Sequence, residues 1–156
     1  MKIRLIAVGN RMPGWVTEGY GEYARRMPRE CALSLIEIPL GQRARTASPL
    51  AAIQEEGRRM LAALNPAQNV VALDVDGRSW STQQLAERLQ GWLQDGRDLA
   101  LLVGGPDGLA ADCLQRAEMR WSLSPLTLPH ALVRVVVAEQ LYRAWTVLSG
   151  HPYHRA

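Results

Sequence analysis

DLALLVGGPDG, residues 98–108, runs through five apolar residues into a glycine pair and a Pro-Asp-Gly turn. The apolar run reads as a strand buried on both faces, ended by glycine. Three further segments have the same character: KIRLIAV (2–8), ended by Gly9, CALSLIEI (31–38), and NVVALDV (69–75), followed by a turn at Asp76 and Gly77. Between them lie helical patterns. Trp15, Val16, Tyr20, Tyr23, Ala24 and Met27 recur at helical spacing and predict an amphipathic helix over 14–27, after a GNRMPG loop. Ser48 and Pro49 read as N-cap and first helical residue of a second, with Leu50, Ile53, Met60, Leu61 and Leu64 on its face. Leu85, Leu89, Trp92 and Leu93 mark a third. Strands and helices in strict alternation, with nearly continuous apolar strands, predict an α/β fold: a parallel sheet with helices on both faces.

At 156 residues the chain has the size of one ordinary domain, and no repeat or long linker divides it. Cys31 and Cys113 are far apart and form no CxxC, so neither a zinc cluster nor a disulfide framework is expected, which fits a reducing cytoplasm. No apolar run approaches the ~20 residues of a membrane span, so no membrane partner is expected. The net charge is +3, and arginine supplies every basic residue except Lys2. Guanidinium suits bidentate contact with phosphate, yet so mild a charge leaves nucleic-acid binding open beside simple compositional bias. The loop from Gly41 to Ala47, with Arg43 and Arg45, reads as a mobile solvated segment or a nucleic-acid contact.

A last helix is expected over 131–148, with Val133, Val135, Val136, Val137, Leu141, Trp145 and Leu148 spread around most of its circumference. Such a helix is central to the core or buries a second face against another copy of the chain. Glu139 and Arg143, four residues apart, form at minimum a helix-surface ion pair.

In open parallel sheets ligands bind beyond the carboxyl ends of the strands. Three loops qualify: the one after Leu73 and Asp74, the GGPDG turn at 104–108, and WSLSPLTLPH at 121–130. Gly104 and Gly105 would permit positive φ and close backbone approach by a ligand, or simply make the turn. Neither GxGxxG nor GxxxxGK[ST] is present, which disfavours a phosphate cradle. The leucine-rich third loop offers apolar walls with backbone donors and acceptors, suited to an adenosyl group. The final HPYHR, residues 151–155, collects imidazole, phenol and guanidinium. Together these can accept a proton near neutral pH and hold an anion, so the tail reads as part of a site as well as an ordinary loose terminus.

LVGGPDGL, WSLSPLTLPHALVRVVVAEQLYRAW and HPYHR, in this order, resemble the RlmH-type (YbeA) family of SPOUT-class methyltransferases, and MKIRLIAVGNRMPGWV, LIEIP and VALDVDGRSWS extend the resemblance over the whole chain. The resemblance implies a single SPOUT methyltransferase domain over 1–156, with a C-terminal trefoil knot that neither composition nor periodicity could reveal. It implies S-adenosyl-L-methionine as cofactor, a homodimer, and methylation of N3 of a pseudouridine in helix 69 of 23S ribosomal RNA on assembled ribosomes; no metal is expected, because His151 and His154 have no evident third ligand, His130 being distant in sequence and carboxylates not clustered nearby. Carried onto this chain, it places the cofactor against Leu73, Gly104, Gly105, Leu123, Ser124, Pro125, Leu126, Thr127 and Leu128.

An imide nitrogen must lose its proton to attack a methyl group. His154 is the candidate acceptor, with Tyr153 orienting it and Arg155 or Arg143 stabilising the anion; Arg134 and His130 are second choices. Arg11, Arg25 and Arg26 are candidate RNA contacts or ordinary surface arginines, and the tail of one subunit is expected to complete the pocket of the other. Two rivals stand beside this reading: a non-catalytic SPOUT-like RNA-binding dimer, and a metal-dependent hydrolase using His130, His151 and His154. The absence of phenylalanine, its places taken by Trp, Leu and Met, concerns packing alone.

Overall fold

The computed structural model describes residues 1–43 and 48–155. Five strands form one sheet: β1 (Ile3–Val8), β2 (Leu33–Ile38), β3 (Asn69–Ser79), β4 (Leu99–Val103) and β5 (Met119–Ser122). Their order is β2-β1-β4-β3-β5, and every pairing is parallel. Helices α1 (Gly14–Ala24), α2 (Leu50–Ala62), α3 (Thr82–Asp95), α4 (Ala111–Arg116) and α5 (His130–Ser149) connect and cover it.

Alternation along the strands sorts the core into two layers, because successive side chains point to opposite faces. Ile3, Leu5, Leu99, Leu101 and Trp121 meet Leu85, Leu89 and Trp92 of α3 and Val137, Leu141 and Ala144 of α5. Ile6, Val8, Val70, Ala100 and Leu102 meet Met60 of α2 and Cys113 of α4 on the other face. Helices thus cover both faces of a parallel sheet, as the apolar runs predict.

Several boundaries differ from expectation. Helix α1 stops at Ala24, three residues short of Met27, since Pro28 disfavours helical geometry at the residue before it. A 3-10 turn at Arg29–Cys31 takes the start of the expected second strand. Pro49 precedes α2 rather than opening it, and Ser48 Oγ accepts from the Leu50 amide at 3.2 Å. Helix α3 carries a reciprocal capping box between Ser81 and Gln84 and ends at left-handed Gly96. The expected turn at Asp76 and Gly77 is a bulge inside a longer strand: β3 pairs with β5 at Leu73, loops out, and pairs again at Arg78. Gly77 permits this, because a Cβ there would lie 2.6 Å from the backbone of Arg120. Of the expected 121–130 loop, Trp121 and Ser122 belong to β5 and His130 begins α5. In the Gly41–Ala47 loop, Arg45 lies outside the described residues, whereas Arg43 is tied down by two carboxylates.

Candidate active site

A cavity of about 460 Å³ opens beyond the carboxyl ends of β3, β4 and β5. That volume falls within the roughly 300–1,000 Å³ typical of small-molecule sites. The three loops selected by strand-end reasoning form its walls. Leu73, Asp74 and Val75 come from the bulge of β3, Gly104 and Gly105 from the turn after β4, and Leu123, Ser124, Leu126, Thr127 and Leu128 from the loop before α5. Pro125 is exposed and outside the lining, while Trp121, His130 and Val133 are among the other residues that form it. Leu126, 74% exposed, stands at the mouth.

The electrostatics of this lining narrow the ligand class. Among the described residues Asp74 is its one carboxylate, and no lysine or arginine contributes to it. The imidazole of His130 is held below its ordinary value, chiefly by burial and then by the neighbouring Arg134 guanidinium, which keeps it neutral at pH 7. A lining that is apolar, with one anionic and no cationic side chain among the described residues, suits a cation or a neutral heterocycle better than a triphosphate. This agrees with the missing phosphate-binding glycine motifs.

The glycines act differently from expectation. Neither Gly104 nor Gly105 has positive φ; the left-handed residue of the turn is Gly108, at φ +85°. A Cβ on Gly104 would lie 2.5 Å from the Gly108 carbonyl carbon, and one on Gly105 would lie 2.9 Å from Val8. Close packing of the turn on itself and on β1, rather than approach of a ligand, requires these two glycines.

The turn is also held from outside. Glu56 is 2% exposed, accepts from the Gly41 amide at 2.9 Å, and pairs with Arg43 Nη1 at 2.8 Å. Arg43 Nε in turn donates to Asp107 Oδ2 at 2.8 Å. The Arg43 guanidinium is consequently held above its already high value, first by the Glu56 bond and then by Asp107. The sequence contains a signal for this chain that the residue patterns above did not use: Glu56 interrupts the buried Ala52–Met60 stripe of α2 at i and i+4 spacing.

Arg134 is the largest fully buried side chain. From the first turns of α5 it donates to the carbonyl of Gly9 at 2.6 Å and of Val8 at 3.3 Å, and it pairs with Glu37 at 2.8 Å. It thereby fixes the end of β1 against the helix that carries His130.

The tail is ordered. Residues Pro152–His154 form a 3-10 turn whose N-cap, His151, accepts from the Tyr153 amide through Nδ1 at 3.1 Å. Tyr153 donates from its hydroxyl to Glu139 Oε1 at 2.9 Å, and Arg143 pairs with the same carboxylate at 2.7 Å while lying over the Tyr153 ring. Burial first, then the Glu139 bond, raises the Tyr153 phenol well above its usual range. Tyr153 therefore anchors the tail to α5. His154 Nδ1 is buried without a partner among the described residues, and Arg155 is exposed.

None of Arg143, Tyr153, His154 and Arg155 lines the cavity. Glu139 lies about 9 Å along α5 from Val133 and roughly 120° around it, so the tail packs on another face of the helix. His130, His151 and His154 form no common cluster, and no group of three metal-ligating side chains is found among the described residues.

The family model described as "Predicted SPOUT methyltransferase" matches residues 1–154. The chain belongs to the SPOUT methyltransferase family. Two similar proteins are named "Ribosomal RNA large subunit methyltransferase H". The protein from Alkalilimnicola ehrlichii is 68% identical over 100% of both chains, and that from Hahella chejuensis 59% identical over 99% of both. Among solved structures, a "Probable Methyltransferase" from Bordetella pertussis Tohama I superposes with a TM-score of 0.58 at 18% identity. It covers 91% of this chain and 95% of its own, a likeness of fold. The cavity at the strand ends of this SPOUT methyltransferase is thus its candidate active site.

Proposed function

We propose that this chain is a single SPOUT domain that methylates large-subunit ribosomal RNA from S-adenosyl-L-methionine, at N3 of a pseudouridine in helix 69 of 23S RNA, on assembled ribosomes in the cytoplasm. The observation that carries the reading is the cavity, apolar and anionic at the ends of three parallel strands, in a chain whose relatives at 59–68% identity are named for ribosomal RNA methylation.

The donor supplies an electrophilic methyl group on a positively charged sulfonium. Asp74 complements that charge, and the leucines at 73, 123, 126 and 128 cover apolar surface and exclude water. Backbone groups of 104–109 and 123–128 offer hydrogen bonds to a heterocycle edge. A C-terminal trefoil knot through these loops is the corresponding reading of the chain path.

The acceptor nitrogen carries a proton that must leave before or during methyl transfer. His154 accepts it, held in place by the Tyr153–Glu139 bond, and Arg143 or Arg155 stabilises the negative charge on the imide oxygens. Because the tail packs away from the cavity of its own chain, the tail of a second copy completes the site. Leu132 and Val136 of α5 join neither core cluster and give that copy an apolar surface to cover.

Labelled methyl transfer to ribosomes lacking the mark tests the reaction. Mixing tail-deleted subunits with subunits altered in the 123–128 loop tests the shared site: regained activity supports it, and none regained counts against it. The non-catalytic alternative predicts RNA binding without transfer.

A further inference from the structure

Leu73 and Arg78 pair with the same residue, Trp121, on the neighbouring strand. The residues between them are looped out of β3, so a strand that lines the active-site cavity up to Val75 reappears three residues later as the wall of a second cavity. Bulges of this kind concentrate beside active sites, where they re-aim side chains. Here the bulge brings Arg78 level with Trp121, one indole away from the first cavity.

The second cavity, about 350 Å³, is lined by Arg78, Ser79, Trp80, Gln84, Glu87 and Arg88. Its character is opposite to that of the first: two guanidinium groups, a hydroxyl and an amide, with Glu87 as the one carboxylate among the described residues. Arg88 lies over the Trp80 ring at 5.3 Å, and Trp80 also meets two indoles, Trp121, stacked at 5.2 Å and 18°, and Trp92, tilted at 6.3 Å and 59°. Trp121 therefore stands between the two cavities, with its ring system continuous with the floor of the second. Arg78 and Arg88 are exposed, and no carboxylate pairs with either among the described residues.

We propose that this cavity is a docking site for the phosphate backbone of the RNA substrate, holding a phosphodiester between Arg78 and Arg88 beside the nucleotide that enters the active site. The inference rests on the ribosomal RNA reading given above. Guanidinium groups without carboxylate partners match phosphate oxygens with parallel donors. The cation–π contact with Trp80 fixes the direction of Arg88 and lowers the entropy it loses on binding. Contact with the backbone alone fixes register and carries no sequence information, leaving base choice to the active-site cavity.

The test measures RNA affinity against salt concentration for the full-length protein, using ribosomes and a helix 69 hairpin as probes, with S-adenosylmethionine binding and thermal unfolding measured in parallel. Losing two phosphate contacts in the Arg78→Gln/Arg88→Gln variant should reduce the magnitude of the slope of log affinity against log salt by roughly 1.4–1.8. Cofactor affinity should stay at the wild-type value. Glu87→Gln should shift RNA affinity the opposite way, upwards. The Arg29→Gln/Arg58→Gln variant, with the same loss of charge at two exposed arginines away from this cavity, should keep the wild-type slope to within about half a contact. A folded Arg78→Gln/Arg88→Gln protein with wild-type slope and affinity would overturn the docking site while leaving the functional reading intact. Wild-type protein that neither binds nor methylates either RNA would overturn both.

Discussion

Arg43 donates to Asp107 at 2.8 Å across 64 residues of sequence, and with its other edge holds the buried Glu56. This pair joins the β2–α2 connection to the turn that forms one wall of the candidate active-site cavity. Asp107 does not line the cavity itself, so its contribution to ligand binding is indirect. Asp107→Asn should therefore weaken S-adenosylmethionine binding about 3- to 10-fold with kcat little changed, as calorimetric titration and steady-state kinetics would show. Among the described residues, Arg43→Ala leaves the buried carboxylate of Glu56 with only the Gly41 amide. It should destabilise the fold by about 2–4 kcal/mol in denaturant unfolding, and Arg43→Lys should recover part of that.

The turn gives a second, steric prediction. Gly104→Ala places a methyl group against the backbone of Gly108 and should cost about 1–3 kcal/mol, together with loss of cofactor binding. Gly108→Ala meets nothing within 4 Å and is strained only by its φ of +85°. Its cost should be about 1–2 kcal/mol, with the cavity preserved. Equal effects on binding from the two variants would contradict this account of the turn.

Two groups make stability depend on pH in opposite directions. His130 titrates lower in the folded chain than its ordinary ~6.5, so below that value the unfolded chain binds the extra proton first. Its contribution is complete above pH ~6.5 and is lost as pH falls through the lower folded value; His130→Gln should flatten this acid limb. Burial pushes the Tyr20 phenol up from 10.0 to about 12, opposed by Arg134. Its contribution is present below pH 10 and is lost as pH rises towards 12. The Tyr20 hydroxyl is buried without a partner among the described residues, so Tyr20→Phe should be neutral or stabilising by about 1 kcal/mol and should remove the alkaline loss. Unfolding free energies from pH 5 to 11 check both.

The tail anchored by Glu139 predicts a separation of stability from activity. His154→Ala touches no hydrogen bond among the described residues and should leave unfolding within about 0.5 kcal/mol of wild type. Methyl transfer should fall roughly 10²–10⁴-fold, the usual contribution of a positioned proton acceptor. Tyr153→Phe should lose less, by loosening the tail.

What could be read from the chain, and what could not, follows from how many residues each feature occupies. Strands β1 and β4 and the start of β3 are nearly continuous apolar runs that suit a doubly covered sheet, and they were legible, as was the less buried β2. Strand β5 has four residues, one of them Arg120, and is held by its pairing with β3, a contact far away in sequence. Asp76 and Gly77 carry a turn signal that tertiary pairing turns into a bulge, so the second cavity behind it was hidden as well. Helix α4, six residues long, has too few turns to show a period. The three cavity loops were legible because strand ends in parallel sheets collect ligands, whereas the Glu56–Arg43–Asp107 chain depends on three separate elements meeting. The chemistry of HPYHR was visible, but its anchor Glu139 looked complete in its pair with Arg143.

The most direct test of the central claim is transfer of labelled methyl from S-adenosylmethionine to ribosomes lacking the mark, with free ribosomal RNA as a parallel substrate. The account predicts label confined to the helix 69 pseudouridine, and in ribosomes far above free RNA. No label from folded protein that binds the cofactor, or label spread over other sites, would contradict it.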